Sequence, residues 1–204
     1  MRFRDVLVHL ERKGMLLRVK TPVEVKLVAT RIVVANEEKA VLFERVRGST
    51  LPAVANVFSS REILAEVLKT SVPKLKLKLL RAIQRPRPPR LGKMPTYESL
   101  GANLMRLPIF KHYRADRGRY ITAGVVVAHH PRWGTNLSYH RMLVKGKNRL
   151  VLRVLPRHLH RMLESGLERA VVAIGNQPQV ALAGAVSTKL GVSELGIANA
   201  ISPV

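Results

Sequence analysis

Residues 119–160, RYITAGVVVAHHPRWGTNLSYHRMLVKGKNRLVLRVLPRHLH, decide how this chain is read. Two apolar, β-branched segments, 120–128 and 150–155, enclose the polar residues Asn136, Ser138, Tyr139, His140, Arg141, Arg153 and His158. β-Branched runs suit a pleated, half-buried surface and read as strands. Asp116-Arg117-Gly118 reads as a turn into the first strand. His130-Pro131-Arg132-Trp133-Gly134 reads as a tight connection to a second strand over 136–145, and Lys147-Asn148 as a hairpin turn into the third. Three successive strands with short polar turns predict an antiparallel sheet or a small barrel. Strand alternation places Asn136, Ser138 and His140 on one face, with Leu137, Tyr139 and Arg141 on the other. Arg141 and Arg153 would be costly to bury unpaired, so each calls for a carboxylate or phosphate. The alternative for either is a rim position, stem packed and head in water.

Upstream, RFRDVLVHLERK (2–13) puts Phe3, Val6, Leu7 and Leu10 on one helical face, and Gly14 ends that helix. A strand over MLLRV follows, then a helix over 24–35 with Val25, Val28, Ile32 and Ala35 inward. Strands over 40–43 and 51–57 come next, and a helix capped by Ser60 runs to Leu68. This alternation predicts a small layered α/β domain over residues 1–68. Downstream, a short helix is expected over 97–110, a helix from Pro156 to Leu163, a strand over 170–174 and an Ala-rich helix over 179–185. The tail SELGIANAISPV begins a further amphipathic turn.

Residues 69–93, KTSVPKLKLKLLRAIQRPRPPRLGK, carry nine basic residues and no acidic one, and the prolines at 86, 88 and 89 stop a helix from running through. We read 69–96 as a basic, proline-containing linker. A nucleic-acid-binding arm built from Lys74, Lys76, Lys78, Arg81, Arg85, Arg87 and Arg90 is one reading, since each neutralised phosphate adds a salt-dependent contribution. A solvated linker or a clamp onto another chain is the blander one. No aromatic residue is interleaved for base stacking.

With 204 residues, one large domain or two small ones can bury a core, built from Val, Leu, Ile and Ala because aromatics make up only 4%. The absence of cysteine removes disulfides, zinc–thiolate and iron–sulfur sites, and a cysteine nucleophile. The apolar runs are too short for a membrane span, and the first 30 residues do not read as a signal peptide, so a cytoplasmic protein is the default. Thirty-six Lys and Arg against 13 Asp and Glu give a formal charge of +23, which calls for an anionic partner: nucleic acid, a phosphorylated small molecule or an acidic subunit.

Asn136 and His158 are oxygen and nitrogen donors that could share a divalent ion, but such an ion also wants a carboxylate. No acidic residue lies between Asp116 and Glu164, so neither a self-contained metal site nor a general acid is legible in the central stretch. A phosphate cradle is the better fit, with Arg, Ser and a helix start after Pro156 converging on one anion.

The opening FRDVLVHLERKGMLLRV, the block AVLFERVRGSTLPAVANVFSSRE, LMRLPIFKHYRADRGRYITAGVVV, NLSYHRM, LRVLPRHLHRM and VVAIGNQPQVALAGA resemble, in order, the N-terminal half of the UbiD-type decarboxylases. That family uses prenylated flavin mononucleotide. RHLHRM is most similar to the archaeal branch acting on anhydromevalonate phosphate.

The resemblance implies an α+β chain, with the α/β N-terminal part followed over 97–204 by a truncated split β-barrel like that of flavin reductases. It implies that Asn136 and His158 hold a divalent metal (Mn or Mg, with K as a further candidate) at the flavin phosphate. Ser138, Tyr139, His140 and Arg141 would line the cofactor, with Arg141 in the catalytic network, and Arg153, Val154 and Leu155 would pack along the flavin. It also places the family's metal-binding glutamate and catalytic carboxylates beyond residue 204. The expected function is therefore a small or N-terminal subunit for decarboxylation of an unsaturated acid, inactive alone, oligomeric, and completed by a subunit carrying the glutamates. The competing reading is a non-catalytic RNA- or ribosome-associated protein that keeps the fold.

Overall fold

A computed structural model of the chain describes residues 2–90, 92–93, 96–99, 101 and 103–203. The first layer forms as hydrophobic periodicity dictates. In α1 (Phe3–Arg12), Val6 and Leu10 are fully buried; the Arg2 N–H donates to Asp5 at 3.1 Å, and Gly14 leaves the helix at φ +68°. β1 (Leu16–Val19) pairs in parallel with β2 (Ala40–Phe43), which pairs antiparallel with β3 (Ala53–Ala55). Alternation along β2 separates two cores. Ala40 joins α1 and α3 (Arg61–Val67) on one face of the sheet, while Val41 and Phe43 join α2 (Val28–Val34) on the other. Ser60 caps α3 as expected, accepting from the Ile63 N–H at 3.1 Å.

α2 is shorter and rotated relative to expectation. Leu27 adopts φ +65° while its N–H donates to the Lys111 carbonyl at 2.9 Å, so the helix starts only at Val28. Ala29, Ile32 and Val33 then face the sheet, and Val28 and Ala35 are exposed. Phe110 stacks obliquely on Phe43 at 5.6 Å, tying the later segment to this core.

The basic stretch contains α4 (Val72–Gln84), which packs through Leu75 and Ala82 against α6 (Pro178–Ala183) and α7 (Glu194–Ile201). The helix expected over 97–110 is reduced to a 3-10 turn at Leu104–Arg106, capped by Asn103; Leu100 and Ala102 lie outside the described residues, as do Leu91, Met94 and Pro95 of the expected linker.

The central strands differ from the expected split barrel. β5 (Val125–His130) pairs antiparallel with β6 (Gly134–Tyr139) and with β9 (Ala170–Ala173). β4 (Tyr120–Ile121) pairs with β7 (Met142–Val144), which pairs with β8 (Leu150–Leu152). The result is two separate three-stranded sheets, ordered β6-β5-β9 and β4-β7-β8, and among the described residues neither closes into a barrel. The fold is mixed α/β with three small sheets.

The cause is a corner. Pairing stops at Val125↔Tyr139 and resumes at Ile121↔Met142, leaving residues 122–124 opposite residues 140 and 141. One strand spends an extra residue there, which bends a ladder as a bulge does. Gly124 sits in the bend because a Cβ would lie 2.9 Å from both Ile121 Cγ2 and Val172 Cγ1. α5 (His158–Glu164) covers the corner through Leu159 and Met162, against Ile121, Val126 and Met142. Among the described residues, no helix is long and apolar enough to cross a membrane.

Candidate functional site

β6 carries the site. Asn136, Ser138 and His140 form a hydrogen-bonded row, as alternation along the strand predicts. Asn136 Nδ2 donates to Ser138 Oγ at 3.2 Å, and Ser138 Oγ lies 2.9 Å from His140 Nε2. His140 Nδ1 is 3.2 Å from the Arg153 carbonyl, which accepts only; the proton therefore sits on Nδ1, and Nε2 accepts from the Ser138 hydroxyl. The row joins β6 to the segment after β8.

These residues open onto a cleft of about 1070 Å³. Asn136, Ser138, Tyr139, His140, Arg141, Arg153, Leu155 and His158 all line it. Val154 does not: it packs into the core beneath the corner. Tyr139 donates its hydroxyl proton to the Ala181 carbonyl at 2.9 Å, and burial pushes its phenol above the usual tyrosine range. Arg141 finds the carboxylate its position calls for, bonding to Asp116 Oδ1 at 3.2 Å, with its guanidinium 4.6 Å from the Tyr120 ring centre. Its head remains largely exposed, so it is a rim arginine facing the cleft. Arg153 is exposed and His158, at the start of α5, half-buried.

The sequence reading missed Glu194. It is 2% exposed and lines the same cleft from the first turn of α7, which Ser193 caps. Its carboxylate accepts from the Leu137 N–H at 2.8 Å and the Thr188 hydroxyl at 3.0 Å. A search for acids confined to the central stretch could not find it, because it arrives from 57 residues away. The available signal was an acid directly after a Ser N-cap on a helix whose one other polar residue is Asn199.

Asn136, His158 and Glu194 thus share one cleft, supplying a carbonyl oxygen, an imidazole and a carboxylate, which suit a Mn²⁺- or Mg²⁺-class ion. Asn136 is 5% exposed, and its Oδ1 accepts no hydrogen bond among the described residues. No group of three His, Asp or Glu side chains suited to a metal occurs among the described residues. Arg157, Arg161 and Lys189 line the cleft too and make it strongly cationic. Arg157 donates to Ser187 Oγ at 3.5 Å across the mouth. The residues of the expected basic arm lie apart from the cleft, on α4 and the segment after it.

Residues 7–83 match the N-terminal domain model of 3-octaprenyl-4-hydroxybenzoate carboxy-lyase, and residues 85–203 match its Rift-related domain model. The chain belongs to the UbiD family. An evolved dimeric form of the UbiD-class enzyme HmfF from Pelotomaculum thermopropionicum, solved with prenylated FMN, superposes with a TM-score of 0.91 at 36% identity. The match covers 99% of this chain and 50% of that one. Vanillic acid decarboxylase from Sedimentibacter hydroxybenzoicus shares the fold, with a TM-score of 0.90 at 24% identity over 98% of this chain and 48% of that one. Anhydromevalonate phosphate decarboxylase from Methanothermobacter thermautotrophicus is 36% identical over 166 residues, 78% of this chain and 39% of that protein. The chain therefore spans about half the length, or less, of these proteins.

Proposed function

We propose that the cleft binds prenylated FMN with a divalent cation, and that the chain contributes this half of a UbiD-class decarboxylase site. The observation that carries the reading is the convergence of Asn136, His158 and Glu194 beside His140, Arg141 and Arg153 in one cationic cleft. Asn136, His158 and Glu194 would hold the cation, with K⁺ as a companion ion, while Arg153 and Arg157 offset the remaining phosphate charge. Ser138 and His140 orient Asn136, and Tyr139 and Leu155 wall the ring. When bound, the flavin supplies the electron sink that non-oxidative loss of carbon dioxide from an unsaturated acid needs. Arg141, at the rim, would hold the substrate carboxylate bidentately. Arg161 and Lys189 favour a substrate bearing a phosphate as well, in line with the anhydromevalonate phosphate branch.

Among the described residues Glu194 is the one carboxylate of the lining, and two donors engage it, so protonation of the product falls to another group. We assign that step to carboxylates in protein outside these 204 residues, carried by a complementary partner in an oligomeric assembly. Reconstitution with prenylated FMN and Mn²⁺, followed by gel filtration, tests the site. Flavin absorbance and manganese should co-elute with the protein and be lost in Asn136→Ala and His158→Ala. Failure of the wild-type chain, alone and with its complement, to retain flavin would overturn the reading.

A further inference from the structure

A second concavity, of about 910 Å³, lies away from the flavin cleft between α4, the segment leaving it and the end of α7. Lys74, Lys78 and Arg81 stand at i, i+4 and i+7 along α4, so they share one side of the helix over about 10 Å, and Arg85 follows at its C-cap. Arg87 continues the row onto the following segment, and all five line the groove. No acidic residue occurs between Glu66 and Glu98. The Lys74, Arg81, Arg85 and Arg87 side chains have no ion-pair or hydrogen-bond partner among the described residues. Lys78 is the exception, donating to the Leu68 carbonyl at 2.7 Å, where it caps α3.

The row is built rather than slack. The Arg87 N–H donates to the Gly196 carbonyl at 2.9 Å, and Asn199 Nδ2 donates to the carbonyls of Arg87 and Pro88 at 3.2 and 3.0 Å. Gly196 lets Pro86 approach, since a Cβ there would lie 3.2 Å from the proline Cβ. The backbone is thereby fixed to α7 while the cationic heads stay in solvent.

We propose that this groove binds single-stranded RNA through its phosphates. A line of unpaired cations fits a chain of regularly spaced anions. An acidic protein would also need an apolar anchor seated in a pocket. Of the apolar lining here, Leu77, Ala82 and Ala200, only Leu77 is a large exposed side chain. With no aromatic residue in the groove for bases to stack on, binding is independent of sequence. Four contacted phosphates give a log–log salt slope of about −3.

The test is fluorescence anisotropy of a labelled 12-nucleotide RNA with the intact protein, across a salt series. The variant Lys74→Gln/Arg81→Gln/Arg85→Gln/Arg87→Gln should bind at least tenfold more weakly, with a slope near zero. A control that removes four exposed cations elsewhere, Arg31→Gln/Lys39→Gln/Lys147→Gln/Arg149→Gln, should keep most of the slope. Ultraviolet cross-links from wild-type protein should map to residues 74–90, a readout that does not depend on any variant folding. Equal losses in both variants, cross-links elsewhere, or displacement of RNA by a polyglutamate peptide at equal charge would overturn the proposal.

Discussion

Glu194, in the first turn of α7, accepts a 2.8 Å hydrogen bond from the backbone N–H of Leu137, in the middle of β6. That contact pins the helix to the strand that carries Asn136 and leaves a buried carboxylate in the cleft. Replacing it by Ala orphans the buried Leu137 N–H, at a cost of about 1–3 kcal/mol, while the Thr188 hydroxyl keeps the Val192 carbonyl as an acceptor at 3.1 Å. Glu194→Gln keeps one acceptor oxygen but no charge. We expect urea unfolding to show a larger loss for Glu194→Ala than for Glu194→Gln. Manganese binding, followed by its paramagnetic signal, should weaken more than tenfold in both. Undiminished manganese affinity in Glu194→Gln would remove the residue from the donor set.

Gly124 tests the corner. Alanine there would press on Ile121, Val172 and the Met142 methyl, all within 3.0 Å of the added carbon. Overpacking of this kind costs about 1–3 kcal/mol. Because β5–β6 and β4–β7 meet at this bend, the strain should also shift His140 relative to Arg153. We expect Gly124→Ala to lower the unfolding midpoint and flavin affinity together, whereas Gly92→Ala, where an added Cβ meets nothing, should change neither.

What was legible in the sequence was local. Alternation placed Asn136, Ser138 and His140 in one row, Ser60 announced its helix, and the apolar face of α1 was readable from Val6 and Leu10. What was hidden depended on tertiary contacts. The strand over 136–145 looks continuous, yet it changes sheets at His140 and Arg141, because the deciding Gly124 lies on the partner strand. Val28 looks like a core residue until the Leu27–Lys111 hydrogen bond resets the start of the helix. Glu194 was invisible for the same reason: nothing near it in sequence says that α7 docks on β6.

Tyr139 predicts a pH dependence. Burial raises its phenol above the ordinary value, so the folded state keeps a proton that the unfolded state releases first. Below about pH 10 both states are protonated and no stability is lost. Above it the unfolded state binds fewer protons, and stability falls as pH rises toward the folded-state value. Absorbance titration at the phenolate band should show one of the four tyrosines ionising late. Tyr139→Phe should remove that late step and flatten the alkaline fall in unfolding free energy. If the late step persists in the variant, it belongs to another tyrosine.

Glu66 predicts the opposite limb. Hydrogen bonds from His9 at 2.7 Å and then Lys13 hold its carboxyl below the usual range. A depressed carboxylate contributes stability that is present above its unfolded value and lost as pH falls through the folded one. The group is partly exposed, so the contribution is small and screened by salt. Glu66→Gln should be less stable than wild type at neutral pH, with the difference closing below about pH 4. A constant difference across the acid range would mean that packing of α1 on α3, rather than charge, is what the variant disturbs.

Ser138 tests whether the row on β6 positions the cleft or merely fills it. Its hydroxyl accepts from Asn136 and donates to His140, so Ser138→Ala breaks both links at once. The stability cost should be about 1 kcal/mol, the ordinary net worth of a hydrogen bond. The functional cost should be greater, because an Asn136 amide free to rotate presents its oxygen to a cation only part of the time. Outer-shell partners of this sort cost about 10- to 100-fold in metal affinity when removed. Ser138→Thr restores the hydroxyl and should recover most of that loss, whatever the added methyl does to stability. Isothermal titration of manganese into the three proteins separates the outcomes: equal affinity in Ser138→Ala and wild type would show that Asn136 needs no such support.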